Sequence, residues 1–219
     1  MEKQDLRSFG RIHGKKLSAR QAWLVENVLP GLTPVGAEHV PPLQGAILEI
    51  GFGAGEHLLH LAETFTDQEI IGAEVFINGV ASLLSRMTND ENKIKPEYQN
   101  IRIWPDDVRK LLNNCPLRFA KIYVLHPDPW PKVRHEKRRL LSAEFLNELA
   151  GHLSPDGQII IGTDHTDYFN WVLEQVKKTA LKTINKNFAV PPESDLDTRY
   201  QRKNKFGSDH PMYLVLSKS

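Results

Sequence analysis

The sequence predicts an α/β fold on a mostly parallel sheet with an antiparallel edge. Three observations carry that prediction. Short apolar runs alternate with amphipathic helical stretches from residue 46 to 178, the pattern of βαβ units. A glycine-rich turn, 51–55, directly follows the first run. The tail then holds two strand-like segments with no helix between them, which suits an antiparallel pair at a sheet edge.

The elements follow in order. Residues 1–20 are polar and basic (Arg7, Arg11, Lys15, Lys16, Arg20), contain Gly10 and Gly14, and show little apolar periodicity. They read as an arm that is mobile unless a ligand orders it. A short helix is expected near 18–29, ended by Pro30-Gly31. The arm and helix, 1–40, precede a domain spanning 41–219. Its core begins after Pro41-Pro42 with a strand at 46–50, then a helix at 56–65. A second strand at 69–75 leads to a helix at 77–87. A third at 101–104 leads to a helix at 106–113. A fourth at 120–125 is followed by a helix at 142–152, and a fifth at 157–161 by a helix at 168–178. Segments 181–190 and 212–217 complete the sheet.

Bulk properties narrow the function. A chain of 219 residues, 40% hydrophobic and 25% charged, suits one α/β domain with a sizeable core. The formal charge is +1, so nucleic-acid affinity has to come from local clusters of Lys and Arg. The single cysteine, Cys115, excludes an internal disulfide and fits a reducing compartment. No apolar run approaches a membrane span, and the N-terminus lacks a signal peptide's apolar region. A cytoplasmic location is expected. His57 and His60 sit one turn apart without an evident third ligand, so no metal is expected. No nucleophilic-serine elbow or P-loop is present.

The chemistry-bearing residues lie at the ends of the expected strands. Gly51, Gly53 and Gly55 let the backbone approach a ligand, and the following helix supplies free N–H groups. A dinucleotide site requires glycine where Glu56 stands, and a carboxylate there opposes a pyrophosphate. Glu49, beside the loop, suits a cationic ligand instead. S-adenosylmethionine, with an ammonium and a sulfonium, is such a ligand. Glu74 can accept hydrogen bonds from ribose hydroxyls, a role it would share with NAD enzymes. Asp106 and Asp107 each can bind an adenine amino group or cap the next helix. Both roles can hold at once, one residue to each.

After the fourth strand comes His126-Pro127-Asp128-Pro129-Trp130-Pro131-Lys132. The prolines stiffen the exit from the strand and hold Asp128 at the sheet edge where such folds bind ligands. Trp130 offers a flat face for a base. A basic run follows at once: Lys132, Arg134, His135, Lys137, Arg138 and Arg139. Charge runs are often only solvated faces. This one adjoins the candidate catalytic loop, and each Lys or Arg that meets a phosphate releases counterions. Asp164, in Gly162-Thr163-Asp164-His165, is either a further ligand at the same edge or a helix cap.

With these residues in place, the chain resembles the bacterial tRNA (guanine-N7-)-methyltransferases from about residue 45 onward. The likeness rests on E-I-G-F-G-A-G at 49–55, G-A-E-V at 72–75, P-D-P-W at 127–130, R-H-E-K-R-R at 134–139, T-D-H at 163–165 and T-R-Y-Q at 198–201. P-D-P-W followed by the basic run is the specific part. The resemblance implies a Rossmann-like, seven-stranded methyltransferase sheet with helices on both faces. It implies S-adenosylmethionine as cofactor, and methylation of guanine 46 in the tRNA variable loop. It implies cofactor contacts from Glu49, Glu74, Asp106 and Asp128, with Asp128 also catalytic. Lys132, Asp164 and Thr198, Arg199, Tyr200 and Gln201 would contact the substrate. Arg134, His135, Lys137, Arg138 and Arg139 would touch RNA. The implied partner is tRNA, bound by a monomer or homodimer with no obligatory second subunit. Two positions depart from the family pattern: His126 replaces an aromatic residue, and Gln201 replaces Glu.

Two other functions fit part of the sequence. A small-molecule methyltransferase on the same fold has no use for the basic run. A tRNA-binding protein that has lost catalysis gains some standing from Gln201, while the intact Glu49, Glu74 and Asp128 argue against it. An NAD oxidoreductase is disfavoured by Glu49 and Glu56.

Overall fold

The computed structural model describes residues 14–34, 44–113, 116–185 and 211–218. Seven strands form one sheet in the order β3-β2-β1-β4-β5-β7-β6. They are β1 (Gln44–Ile50), β2 (Ile70–Ala73), β3 (Ile101–Trp104), β4 (Arg118–Leu125), β5 (Leu153–Thr163), β6 (Lys182–Thr183) and β7 (Met212–Ser217). The first five pair in parallel. β7 runs antiparallel to both β5 and β6. The mostly parallel sheet with an antiparallel edge is therefore as the sequence indicates.

Side chains of successive strand residues point to opposite faces, and here both faces are covered. Ile47, Ile70, Ile103, Tyr123, Ile160 and Val215 pack in one core with Leu24, Leu61, Val80 and Leu84. These last four come from α1 (Ala19–Asn27), α2 (Glu56–Thr64) and α3 (Ile77–Met87). Leu48, Ile71, Ile122, Ile159, Ile161 and Leu214 pack in a second core with Leu111, Phe145, Leu149, Tyr168 and Val172. These last five come from α4 (Val108–Leu112), α5 (Ala143–Gly151) and α6 (Thr166–Val176). Burial on both faces explains why the inner strands hold runs of consecutive apolar residues, whereas β3, at the sheet edge, alternates. No helix among the described residues is long and apolar enough to cross a membrane.

Several boundaries move for local reasons. α1 is opened by a capping box in which the Ser18 hydroxyl accepts from the Gln21 N–H and the Gln21 side chain accepts from the Ser18 N–H. It ends before Leu29–Gly31, which form a 3₁₀ turn. Asp107 caps α4 and shortens it to one turn. α6 begins earlier than expected because His165, an unusual capping residue, accepts the Tyr168 N–H through Nδ1. β5 begins at Leu153, with a register shift before Gln158. β6 is only two residues long; Leu181, Ile184 and Asn185, expected as strand, lie outside it, and 186–190 are outside the described residues.

Residues 14–20, expected to be mobile, are anchored to α3. The Asn78 side chain accepts from the Gly14 N–H and donates to the Lys15 carbonyl. Arg20 donates to Asn92, Thr88 and the Asn89 carbonyl beyond the helix's other end. Residues 1–13 lie outside the described set.

Candidate active site

Strand register places the candidate carboxylates along one edge. Ala73 lies beside Trp104, Ile50 beside both Ala73 and Val124, and Leu125 beside Gly162. The residues just beyond or near these strand ends are Asp106, Glu74, Gly51, Asp128 and Asp164. The chain order reverses between β1 and β4, and open parallel sheets bind ligands at such a switch point.

The glycine loop is built by backbone conformation and one acid. Gly51, Gly53 and Gly55 have φ of +76°, +58° and +80°, a region costly for residues with a Cβ. Glu74 organises the loop from β2. It accepts hydrogen bonds at 2.8 Å from the Gly53 N–H and the Phe76 N–H. Burial raises its pKa, bonds from Phe76, Gly53 and Val75 oppose the rise, and the Glu49 charge adds to it. Gly79 brings α3 against the loop, since a Cβ there would sit 2.2 Å from the Gly53 carbonyl oxygen.

Glu49 is 3% exposed. One carboxylate oxygen lies 3.2 Å from His57 Nδ1, within ion-pair distance though not aligned as a hydrogen bond. The other has no hydrogen-bond partner among the described residues. His57 packs edge-on against Tyr123 at 4.9 Å. The residue that sequence reasoning set aside as a stray histidine is thus the neighbour of Glu49. The return of α2 beneath β1 brings the two together, and no local signal announces it.

Of Asp106 and Asp107, it is Asp107 that caps the next helix. Asp107 is buried and caps α4 through the Arg109 N–H. Burial raises its pKa, but hydrogen bonds and charge from Arg109 outweigh this and lower it. Asp106 is half-exposed and held by Lys110 at 2.7 Å and by the Asp107 N–H.

The loop after β4 bends twice through left-handed backbone, at His126 (φ +49°) and Trp130 (φ +42°). Asp128, between them, is exposed. The His126 side chain is turned inward, with Nδ1 3.8 Å from the Asp164 carboxylate. Burial depresses its pKa, and Asp164 opposes that shift. Asp164 does not cap α6, since His165 does.

The basic run folds into a 3₁₀ turn, Val133–Arg138, and its members separate. Lys132, Arg134 and Lys137 are exposed, with Val133 projecting between the first two at 84% exposure. His135 meets the Trp130 ring edge-on at 5.7 Å, and the Arg138 guanidinium lies 5.0 Å over the same ring. One Trp130 face expected for a base is therefore covered. Arg139 faces the protein. It donates to the carbonyls of Pro129 and Trp130 and lies over the rings of Tyr168 and Trp171. Nothing in the sequence distinguishes it from the cations before it. Thr198, Arg199, Tyr200, Gln201 and Cys115 lie outside the described residues.

A protein-family profile described as "Putative methyltransferase" matches residues 44–210. Among curated proteins, a tRNA (guanine-N(7)-)-methyltransferase of Ruegeria sp. (strain TM1040) is 36% identical, covering 96% of this chain and 87% of its own. The protein of the same name from Neorickettsia sennetsu is 39% identical, covering 87% and 82%. Two solved structures share the fold at low identity. The 16S rRNA methyltransferase KamB is 15% identical with a TM-score of 0.57, covering 81% of this chain and 89% of its own. An rRNA methylase from Streptococcus thermophilus is 13% identical with a TM-score of 0.50, covering 93% and 99%. Matched along most of its length by the profile and by these relatives, the chain belongs to the tRNA (guanine-N(7)-)-methyltransferase family.

Proposed function

We propose that this protein transfers a methyl group from S-adenosylmethionine to N7 of guanine in tRNA, at position 46 of the variable loop. The observation that carries the reading is a juxtaposition. The stiff loop with Asp128 leaves β4 beside the Glu49 end of β1 and runs directly into an exposed cationic turn. A cofactor site, a reacting edge and an RNA-facing surface are then continuous.

The residues present fit S-adenosylmethionine. Glu49 offers a buried carboxylate oxygen without a partner among the described residues, suited to an ammonium. Glu74 and Asp106 offer acceptors on the next two strands. Side chains are absent from the cradle at Gly51 and Gly53, where even an added Cβ would meet nothing within 4 Å. When bound, the cofactor supplies an electrophilic methyl group on sulfonium.

Guanine N7 has a lone pair and no proton, so no base is needed to create the nucleophile. With the cofactor held by Glu49, Glu74 and Asp106, that lone pair would take up the methyl group, and the electron pair of the former carbon–sulfur bond would stay with sulfur. The protein's task is placement and charge management. Positive charge develops on the guanine, and the Asp128 carboxylate offsets it while orienting the base edge. In this proposal Lys132 and Asp164 contact the substrate, and the exposed Lys132, Arg134 and Lys137 meet the RNA backbone beside His135 and Arg138, which pack on Trp130. The base is partly extruded from the folded tRNA to reach the edge. Thr198, Arg199, Tyr200 and Gln201 complete the substrate side in this proposal.

The test is transfer of labelled methyl to bulk tRNA, followed by nucleoside analysis. The expected product is 7-methylguanosine, made by wild type and lost with correctly folded Asp128→Ala. Label in another nucleoside, or none, refutes the substrate assignment. Near-wild-type turnover by Asp128→Ala refutes the residue's role.

A further inference from the structure

We propose that Arg139 is a positioning residue for the loop that carries Asp128 and not a contact for RNA phosphate. The inference rests on the proposed function, because it concerns how that loop is held.

The loop is poor in its own backbone support. Pro127, Pro129 and Pro131 have no N–H to donate, and Trp130 is in left-handed backbone, which a residue with a Cβ keeps only when its surroundings enforce it. The Asp128 side chain accepts no hydrogen bond from another described residue, so its place is set by the backbone on either side. Arg139 acts on that backbone. Its Nε donates to the Pro129 carbonyl at 3.0 Å, and Nη2 reaches the Trp130 carbonyl at 3.4 Å. One planar fork thus bridges two consecutive carbonyls immediately after Asp128, a geometry lysine cannot reproduce.

The fork is itself fixed. The guanidinium lies 5.0 Å from the Trp171 ring and 5.8 Å from the Tyr168 ring. Those rings stack on each other at 5.7 Å, with 17° between their planes. Trp171 donates its indole N–H to the Glu136 carboxylate, which ties α6 back to the turn that delivers Arg139. Asp128 and Arg139 both act electrostatically on the buried Tyr168 hydroxyl, so they share one neighbourhood. The run therefore performs two tasks, with Lys132, Arg134 and Lys137 turned outward and Arg139 turned in.

The experiment compares Arg139→Lys with wild type at saturating cofactor. The expected result is a fall in kcat of about tenfold or more, with KM for tRNA and its salt dependence within about twofold of wild type. Lys137→Ala should show the opposite split, a raised KM and a shallower salt slope. With 5-fluorotryptophan labelling, the ¹⁹F resonances of Trp130 and Trp171 should move in Arg139→Lys, while those of Trp23 and Trp104 should not. Trp171→Phe keeps an aromatic face but loses the indole donor. It should give the same split with a smaller loss, and it serves if Arg139→Lys does not fold. A raised KM with unchanged kcat in Arg139→Lys would make Arg139 a phosphate contact and overturn the proposal. Wild-type kcat in the folded fraction, with lower thermal stability alone, would overturn it too. Should wild type not methylate tRNA, the proposed function fails, and the ¹⁹F shifts judge the clamp separately: unmoved Trp130 and Trp171 resonances reject it.

Discussion

Substituting Gly79 by Ala tests whether the glycine loop is held by the packing of α3 against it. Gly79 lies in the first turn of α3, where alanine ordinarily favours the helix by about 0.5–1 kcal/mol. Here the added Cβ would stand 2.2 Å from the Gly53 carbonyl oxygen. That neighbour is backbone and cannot rotate away, so helix and loop have to part by about an ångström. Overpacking of this kind costs roughly 1–3 kcal/mol, leaving a net destabilisation of up to about 2.5 kcal/mol. For a domain of this size that corresponds to a fall in Tm of up to about 10 °C. The displacement also strains the bond from the Gly53 N–H to Glu74, so cofactor affinity should fall by about tenfold, the equivalent of ~1.4 kcal/mol. Gly151→Ala, where a Cβ would meet nothing within 4 Å, is the control and should be neutral or slightly stabilising. Thermal melts and calorimetric titration with S-adenosylmethionine provide both readings. A Gly79→Ala protein as stable as the control, with unaltered cofactor affinity, would refute the reasoning.

Neighbouring acids should separate in behaviour. Asp107→Ala removes the α4 cap and the Asp107–Arg109 ion pair, costing about 1–2 kcal/mol in denaturant melts. Asp106→Ala should leave stability within about 0.5 kcal/mol and weaken cofactor binding about tenfold; the reverse pattern would exchange their roles. His126 supplies a pH test. Its pKa in the folded protein is depressed by burial, so below about 6.5 the unfolded chain binds more protons. Its contribution to stability is complete above that value and is lost as pH falls toward the folded pKa. His126→Asn tolerates left-handed backbone and cannot titrate, so its Tm should fall less steeply with acid; an unchanged pH profile would exclude His126 as a source. Replacing Lys132, Arg134 and Lys137 together by Ala should raise KM for tRNA and reduce the salt slope by about one for each phosphate no longer neutralised. Cofactor affinity, measured by titration, should not change, and a drop there would show that the turn does more than face RNA.

The strand-helix alternation, the glycines after β1 and the acids at the strand ends were legible because each depends on residues close in sequence. The parallel sheet then brings those ends to one edge, since every βαβ unit returns its strand in the same direction. The N-cap of α6 was less legible, because histidine rarely does that work and the expected helix began two residues late. Either Asp106 or Asp107 could have capped α4 by sequence, and only burial and the approach of Arg109 make Asp107 the cap.

By itself, the sequence determined the fold class, the gathering of acids and glycines at one edge of the sheet, and the family motif from Pro127 through Arg139. These follow from periodicity, backbone restriction and residue type. Tertiary structure decided which partner each side chain meets. Glu74 reaches back to Gly53, His57 comes to Glu49, and Asn78 holds Gly14. In the basic run, Arg134 and Arg139 are the same residue type a few positions apart, yet one faces solvent and the other closes on Pro129 and Trp130. The reason is physical: a guanidinium can donate to either a phosphate or a carbonyl, and which it meets is decided by where the 3₁₀ turn and the Tyr168–Trp171 surface of α6 place it.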